Sequence, residues 1–383
     1  MAFRNTVFGQ LLAYLKQLDF DSVVSNHHDG AKPRKFDYWS QLVSMVFCQF
    51  AGTSSIRDLI INFNAKRKMH YHWDVKTLKR STLADANQDR NYKVFEILFY
   101  KALGLYHRGL KKKVKELTYI IDSTTIDLCL SLFPWAAFRK HKGAVKIHTL
   151  LNATESIPEY IVVTDGKKHD LHPGKQLVKR LPKGSIIMMD RAYIDFDWLY
   201  QLQQQSKFFV TRAKGNMNFT IRQNLKHNCS PGILADQIIS PGNDKYPETM
   251  RLVTFSDGKV TYRFLTNILS LDASAIADLY QQRWAVELFF KWIKQHLKIK
   301  KFIGCSKNAV LIQIYTALLV YILTAYLKKI SGSDFSLLKA YRIIKANLFE
   351  RLSVFDVLNP KPDPPDMHEN LNQPTLLNFC TGQ

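Results

Sequence analysis

Five short runs between Leu117 and Ala213 fix most of what this chain can become. "LTYIID", "AVKIHTLL", "EYIVVT", "SIIMMD" and "KFFVTRA" are rich in β-branched or apolar residues and have strand length. Between the last two lies "DWLYQLQQQ", which reads as a helix. Several strands, a strand ending in Asp190, a helix and a further strand together predict a mixed α/β domain.

The flanks read differently. Residues up to about Leu117 are mostly helical in pattern, and "YWSQLVSMVFCQFAGTSSIRDLIINFNAK" holds two helices joined at "AGTSS". Gly52 suits the turn and Ser54 or Ser55 the N-cap. A helix-turn-helix and an ordinary helical hairpin both fit this layout. From Gly215 to about Leu271 the sequence is more polar, with strand-like "MRLVTFS" and "VTYRFLTN", and reads as a β-rich insertion. Helices return from Ser274. The end, "NPKPDPPDMHENLNQP", is a Pro-rich tail with little prospect of packing.

"VLIQIYTALLVYILTAYL" (Val310 to Leu327) approaches membrane-spanning length, but Gln313, Thr316 and Thr324 interrupt it and no second such run exists. It is expected to be a helix buried on all sides, and no membrane partner is expected. The opening "MAFRNTVFGQLLAYLKQLDF" is an amphipathic helix pattern, because Gln10, Lys16 and Asp19 break any apolar signal core. Five scattered cysteines without a C-x-x-C pair point to a reducing cytoplasm.

The formal charge of +22 implies a polyanionic partner, nucleic acid first, with a merely basic soluble protein as the alternative. Basic clusters at "AKRK", "KTLKRS" and "RGLKKKVK" fit phosphate contacts, which position a duplex without reading its bases.

Chemistry concentrates on three acids. On a helix, Tyr280, Arg283, Glu287, Lys291, Lys294 and Lys298 share one stripe, with Ala285, Leu288, Phe289, Trp292 and Ile293 expected to pack inward. A surface i,i+4 pair from Glu287 to Lys291 would account for this stripe alone. Asp122 and Asp190, however, each follow an apolar strand run, where α/β proteins collect ligands, although either could cap the next turn. Three gathered carboxylates repel one another, and divalent cations offset the repulsion. Mg²⁺ suits oxygen ligands, and two such ions about 3.5–4 Å apart can generate hydroxide and stabilise a leaving oxygen. Asp127 competes as the first acid, and Asp170 and Asp195 are candidates to orient the ligands. His169 and His172 have loose H-x-x-H spacing without a third soft ligand, which disfavours zinc.

The segment "YQQRWAVELFFKWIK" resembles the Tyr-Arg-Glu-Lys signature of bacterial transposases of the insertion-sequence-four family, a branch of the Asp-Asp-Glu transposases. "IIDSTTIDL" resembles their first-aspartate block, and "MMDRAYIDF", with Asp190, Arg191, Tyr193 and Asp195, their second. "FPWAAFRKHKGAVKIHTLL", "VTDGKKHD" and the N-terminal "HDGAKPRKFDYWSQLVSMVFCQFAGTSSIRDL" are also similar to family segments.

The resemblance implies a ribonuclease-H-like catalytic core with a mixed sheet, interrupted by a β-rich insertion and preceded by a helical N-terminal domain. The expected divisions are 1–115 for the helical DNA-binding domain, 116–214 and 273–355 for the two parts of the core, 215–272 for the insertion and 356–383 for the tail. Asp122, Asp190 and Glu287 would be catalytic and bind two Mg²⁺ or Mn²⁺ ions. Tyr280, Arg283 and Lys294 would hold end phosphates, with Lys291, Lys298 and Arg191 as further DNA contacts.

The implied partner is double-stranded DNA, as terminal inverted repeats and target, bound by a homodimer in the synaptic complex. The implied chemistry is nicking at the element's end, then attack by the freed 3′-hydroxyl. In studied relatives a hairpin forms first, and a Trp in the insertion stacks on a flipped base. Here no Trp lies between Trp198 and Trp284, which leaves Phe219, Tyr246 or Phe255 for that role. A silent DNA-binding relative and a nuclease that hydrolyses without joining remain the alternatives.

Overall fold

In the computed structural model the described residues are 5–28, 36–53, 55–108, 117–139, 142–226, 231–242, 244–297, 299 and 301–360. Seven helices come first: α1 (Val7–Lys16), α2 (Phe20–His27), α3 (Tyr38–Ala51), α4 (Ile56–Ala65), α5 (His70–Trp73), α6 (Arg80–Asp89) and α7 (Lys93–His107). Gly52 ends α3 in the left-handed region (φ 71°), which a side chain would disfavour, and the Ser55 hydroxyl accepts from the Asp58 amide to start α4. Of the two serines expected to cap, Ser54 lies outside the described residues.

Strands follow: β1 (Thr118–Leu128), β2 (Ala137–Arg139), β3 (Lys142–Asn152) and β4 (Ile157–Asp165). Helix α8 (Leu171–Val178) leads to β5 (Ile186–Met189), and α9 (Phe196–Gln204) leads to β6 (Phe208–Arg212). Residues 215–272 supply β7 (Phe219–Asn224), β8 (Ile233–Pro241), β9 (Met250–Ser256) and β10 (Thr261–Thr266). The C-terminal helices are α10 (Ala273–Gln281), α11 (Trp284–His296), α12 (Lys307–Ser331), α13 (Leu337–Ala346) and α14 (Val354–Leu358).

All ten strands form one mixed sheet in the order β2-β3-β1-β5-β6-β10-β9-β8-β7, with β4 also paired to β3. The β1–β3 and β3–β4 pairs are antiparallel, whereas β5 lies parallel to both β1 and β6. The strands from 215–272 thus extend the same sheet, because β10 pairs antiparallel with β6.

Side chains alternate across the sheet and build two cores. Ile120, Met188 and Val210 face the helical body, while Tyr119, Ile121, Ile187, Met189 and Phe209 pack on the side of α8 and α9.

Helix α12 is long and apolar enough to cross a membrane, but 94% of its most apolar stretch is buried inside the fold. It packs against α3, α6 and α7 from the N-terminal half and against α11, α13 and α14. Backbone amides of Val7 and Phe8 donate to Glu350 and Leu348 carbonyls at 3.0 and 2.8 Å. The start of α1 and the segment between α13 and α14 therefore close one helical body. Val357 and Leu358, assigned to the tail from the sequence, are instead buried in α14, because their side chains complete this body. The rest of the tail, 361–383, lies outside the described residues.

Two local expectations are corrected. β1 does not end at Asp122; it continues through Leu128, in register with β3 from Asp122 opposite Thr149 to Leu128 opposite Gly143. The following "STTI" begins polar, but Thr124, Thr125 and Ile126 are β-branched, and ladder pairing overrides the polarity. On α11 the inward residues are Val286, Phe289, Phe290 and Ile293, whereas Leu288 is 52% exposed. Ala285 and Trp292 are half-buried, with Trp292 packed edge-on to Tyr321 and Tyr341. The helix buries a narrower stripe than its sequence pattern allows.

Candidate functional site: a carboxylate notch beside β1 and α11

The notch is created by strands of unequal length. Ile121 pairs with Met189, the last residue of β5, so Asp122 and Asp190 occupy the next rung, where β1 loses its parallel neighbour. Both share the parity of Ile120 and Met188, so both carboxylates face the side that carries α11. Asp127 has the opposite parity and is exposed, which separates it from this group. Asp190 makes no side-chain cap for the turn after it, and Asp122 accepts from the Ser123 amide at 2.8 Å.

Glu287 comes to the same place from the first turn of α11. The Arg283 guanidinium joins it to β1, donating to Asp122 Oδ2 at 3.2 Å and to Glu287 Oε1 at 2.5 Å. Glu287 is therefore paired with Arg283 and not, as the simple surface stripe required, with Lys291.

Burial is the largest influence on Asp122 and pushes its carboxyl up to about 6; the charges of Asp190 and Glu287 add to this, while the Ser123 amide and Arg283 oppose it. Burial alone would lower the Arg283 pKa, but Tyr280, Glu287 and Asp122 outweigh it and raise it. Tyr280, whose ring lies 5.8 Å from that guanidinium, has a buried hydroxyl without a hydrogen-bond partner among the described residues. Burial pushes it up to about 12, with Arg283 opposing and Asp190 adding.

A polar net supports β1 from the next layer. Ser123 Oγ donates to Asp170 Oδ1 at 2.7 Å, and Lys146 Nζ donates to the same oxygen at 3.1 Å. His148, fully buried, has Nδ1 3.5 Å from Asp170, and desolvation holds it down at about 4. Asp170 is thereby tied to the residue after Asp122. Asp195 caps α9 and pairs with Lys175 at 3.3 Å, so its part is structural. His169 and His172 make local contacts, to the Leu171 amide and to Gln176.

The expected DNA contacts scatter. Lys294 donates to the Thr125 carbonyl of β1 at 2.9 Å, whereas Lys291 and Arg191 are exposed and Lys298 lies outside the described residues.

Whether the three acids suit metal can be tested on their chemistry. The three acids offer only hard oxygen donors, and a single guanidinium, that of Arg283, is shared between Asp122 and Glu287. Their present spacing belongs to Arg283, which stands between two of them; among the described residues no three His, Cys, Asp or Glu side chains are grouped closely enough to hold an ion. The donor set fits a divalent cation, provided Arg283 yields.

A recess of about 310 Å³ opens beside Arg283, lined by Arg212, Phe255, Tyr262, Phe264, Tyr280 and Trp284, among others. Tyr262 and Phe264 lie parallel with centroids 6.1 Å apart, Arg212 covers Tyr262 at 4.9 Å, and Trp284 is 59% exposed. Of the three aromatic candidates from the insertion only Phe255 lines it; Tyr246 is buried, and Phe219 packs beside the α8–α9 core. Trp284 and Tyr262 escaped the sequence reading, although Trp284 directly follows Arg283 in the signature.

The family described as the transposase DDE domain matches residues 114–323, and a domain of unknown function matches residues 3–76. A protein of Sinorhizobium fredii described as a transposase (y4zB) is 30% identical over 78% of this chain and 85% of its own length. One described as a transposase for the insertion sequence element IS5377, from Geobacillus stearothermophilus, is 33% identical over 54% of this chain and 56% of its own. A third, from Synechocystis, described as a transposase for IS4SA, is 28% identical over 73% and 80%. A cryo-EM structure of the piggyBac transposase synaptic complex with hairpin DNA overlays loosely, at TM-score 0.46 and 12% identity over 94% of this chain and 81% of that one.

Proposed function

The chain belongs to the DDE transposase family, and from that premise we propose that it binds the ends of an insertion sequence, cleaves the DNA there and transfers the 3′-hydroxyl strand into target DNA. The observation that carries this reading is the joining of Asp122 and Glu287 through Arg283, with Asp190 level with Asp122 just past the last paired rung. Strand order supports a ribonuclease-H-like core: β4-β3-β1 antiparallel, then β5 and β6 parallel, with helices between β4, β5 and β6.

Family members generally use divalent metal ions. Asp122, Asp190 and Glu287 would hold them, and such ions supply activation of the attacking oxygen and charge stabilisation at phosphorus. The chain's own residues do the rest. The Asp170–Ser123–Lys146 net holds the backbone of β1 at Asp122. Arg283 and the unpartnered Tyr280 hydroxyl offer donors to a phosphate entering the notch. The aromatic recess fits a nucleobase turned out of the stack, with Tyr262, Phe255 and Trp284 as stacking surfaces. Pairing of two ends by a dimer completes the proposal.

The test uses purified protein and a duplex bearing the element's own ends. Mg²⁺-dependent cleavage is expected, and Glu287→Gln should lower it about 10³-fold, since several kcal/mol of transition-state stabilisation are lost, while DNA affinity stays within about twofold. Near-normal cleavage by Glu287→Gln would overturn the triad. Pre-cleaved 3′-hydroxyl ends that fail to join to target would leave a hydrolytic nuclease.

A further inference from the structure

Helix α11 has a second cationic recess at its other end. An opening of about 630 Å³ is lined by Gly52, Lys294, His296, Lys301, Arg342 and Lys345 among others, and no acid among the described residues lines it. Three separated segments meet there: the end of α3, the end of α11 with the residues after it, and α13. Lys301, Arg342 and Lys345 are exposed, and among the described residues none of them is in an ion pair. The nearby His296 senses the result, because burial first and then Arg342 and Lys345 lower its pKa.

Two helix C-termini open onto this recess, and their carbonyls would repel an anion. Tyr341 answers them: its hydroxyl lies 3.0 Å from the Gln49 carbonyl and 3.2 Å from that of His296, as a shared donor. Each terminus carries roughly half a charge, so together they offset about one of the three full positive charges contributed by Lys301, Arg342 and Lys345. The recess remains strongly positive.

We propose that this recess is a second phosphate tract, which grips the backbone of duplex DNA beyond the carboxylate notch; the inference rests on the transposase reading. Its position follows from the helix. From Glu287 to His296 is nine residues, or about 13 Å at roughly 1.5 Å per residue. At about 3.4 Å per nucleotide along one strand, the tract meets the backbone roughly four nucleotides from the scissile phosphate. Lys294 links the two sites, with its amine on β1 and its stem in the recess. The tract also joins the helical body to the catalytic helix, so a single duplex spans both.

The experiment measures affinity for a duplex longer than this span as a function of salt, in the full chain. A Lys301→Ala/Arg342→Ala/Lys345→Ala variant should reduce the slope of log K against log salt by about 2–3, near 0.9 for each lost phosphate contact, with an unchanged melting temperature. The swap Arg342→Lys should keep the slope, and so should the remote control Lys179→Ala/Lys183→Ala. A methylphosphonate placed about four nucleotides from the cleavage point should weaken the wild type but not the triple variant. An unchanged slope in the triple variant, or an equal loss in the control, overturns the tract, as does a wild type that binds no duplex. Absence of end cleavage by the wild type, alongside the expected slope change in the variant, would sink the transposase reading and leave the tract standing.

Discussion

The two recesses on α11 hold their positive charge in opposite ways. At the N-terminal end, Arg283 is half-buried and fully engaged by Asp122 and Glu287, so its charge is spent inside the protein. At the C-terminal end, Lys301, Arg342 and Lys345 face solvent without acids beside them. One site must exchange an internal partner before it can receive a ligand, whereas the other is ready for a polyanion. Proximity on one helix does not impose one electrostatic logic.

Three substitutions sharpen or break this contrast. The largest effect is expected from Arg283→Ala, which leaves two partly buried carboxylates without their shared cation. Removing one partner of such a partly buried pair should cost about 2–3 kcal/mol and lower the metal-free melting temperature by several degrees. Added Mg²⁺ should then raise the melting temperature of the variant more than that of the wild type. Equal gains would show that the guanidinium does not occupy the cation's place.

Next comes Asp122→Asn. Its carboxyl is raised from 3.8 to about 6 and its side chain is 20% exposed. Ionisation of an acid whose folded pKa is raised costs stability above that pKa and costs nothing below the unfolded value. The Asn variant should therefore be more stable than wild type by about 1–2 kcal/mol at pH 8, after discounting for solvent. That gain should fade between pH 6 and 4. Denaturant titrations at the two extremes check it, and a gain independent of pH would contradict the assignment to burial. The smallest effect belongs to Lys291→Ala: this exposed side chain should change stability by less than about 0.5 kcal/mol and the salt slope by at most about one. A larger slope change would place Lys291 in the DNA path.

Much of this arrangement was legible from residue patterns. Strand runs of four to eight residues marked β3 to β6, Asp190 follows β5 as its sequence suggests, and Gly52 and Ser55 punctuate α3 and α4. What escaped depended on partners distant in the chain. The run after Asp122 is polar enough to read as a turn, and only pairing with β3 makes it a strand. Leu288 lies at a position whose periodicity allows burial, yet no element covers it. Lys301, Arg342 and Lys345 form no cluster in the sequence; the packing of α13 beside the end of α11 creates it. Arg283, expected from the resemblance to hold a phosphate, was not legible as the internal partner of two acids, because that pairing requires β1 and α11 to meet.

The burial of α12 among the N-terminal helices carries a consequence for synthesis on the ribosome. Helix α7 ends at His107, and the helix that covers its apolar face begins only at Lys307. At about 5–20 residues per second, the amino-terminal helices emerge roughly 10–40 s before the segment that shields them. A nascent chain halted anywhere in that interval would present an uncovered greasy surface, and truncated products of this length should need a chaperone to stay in solution.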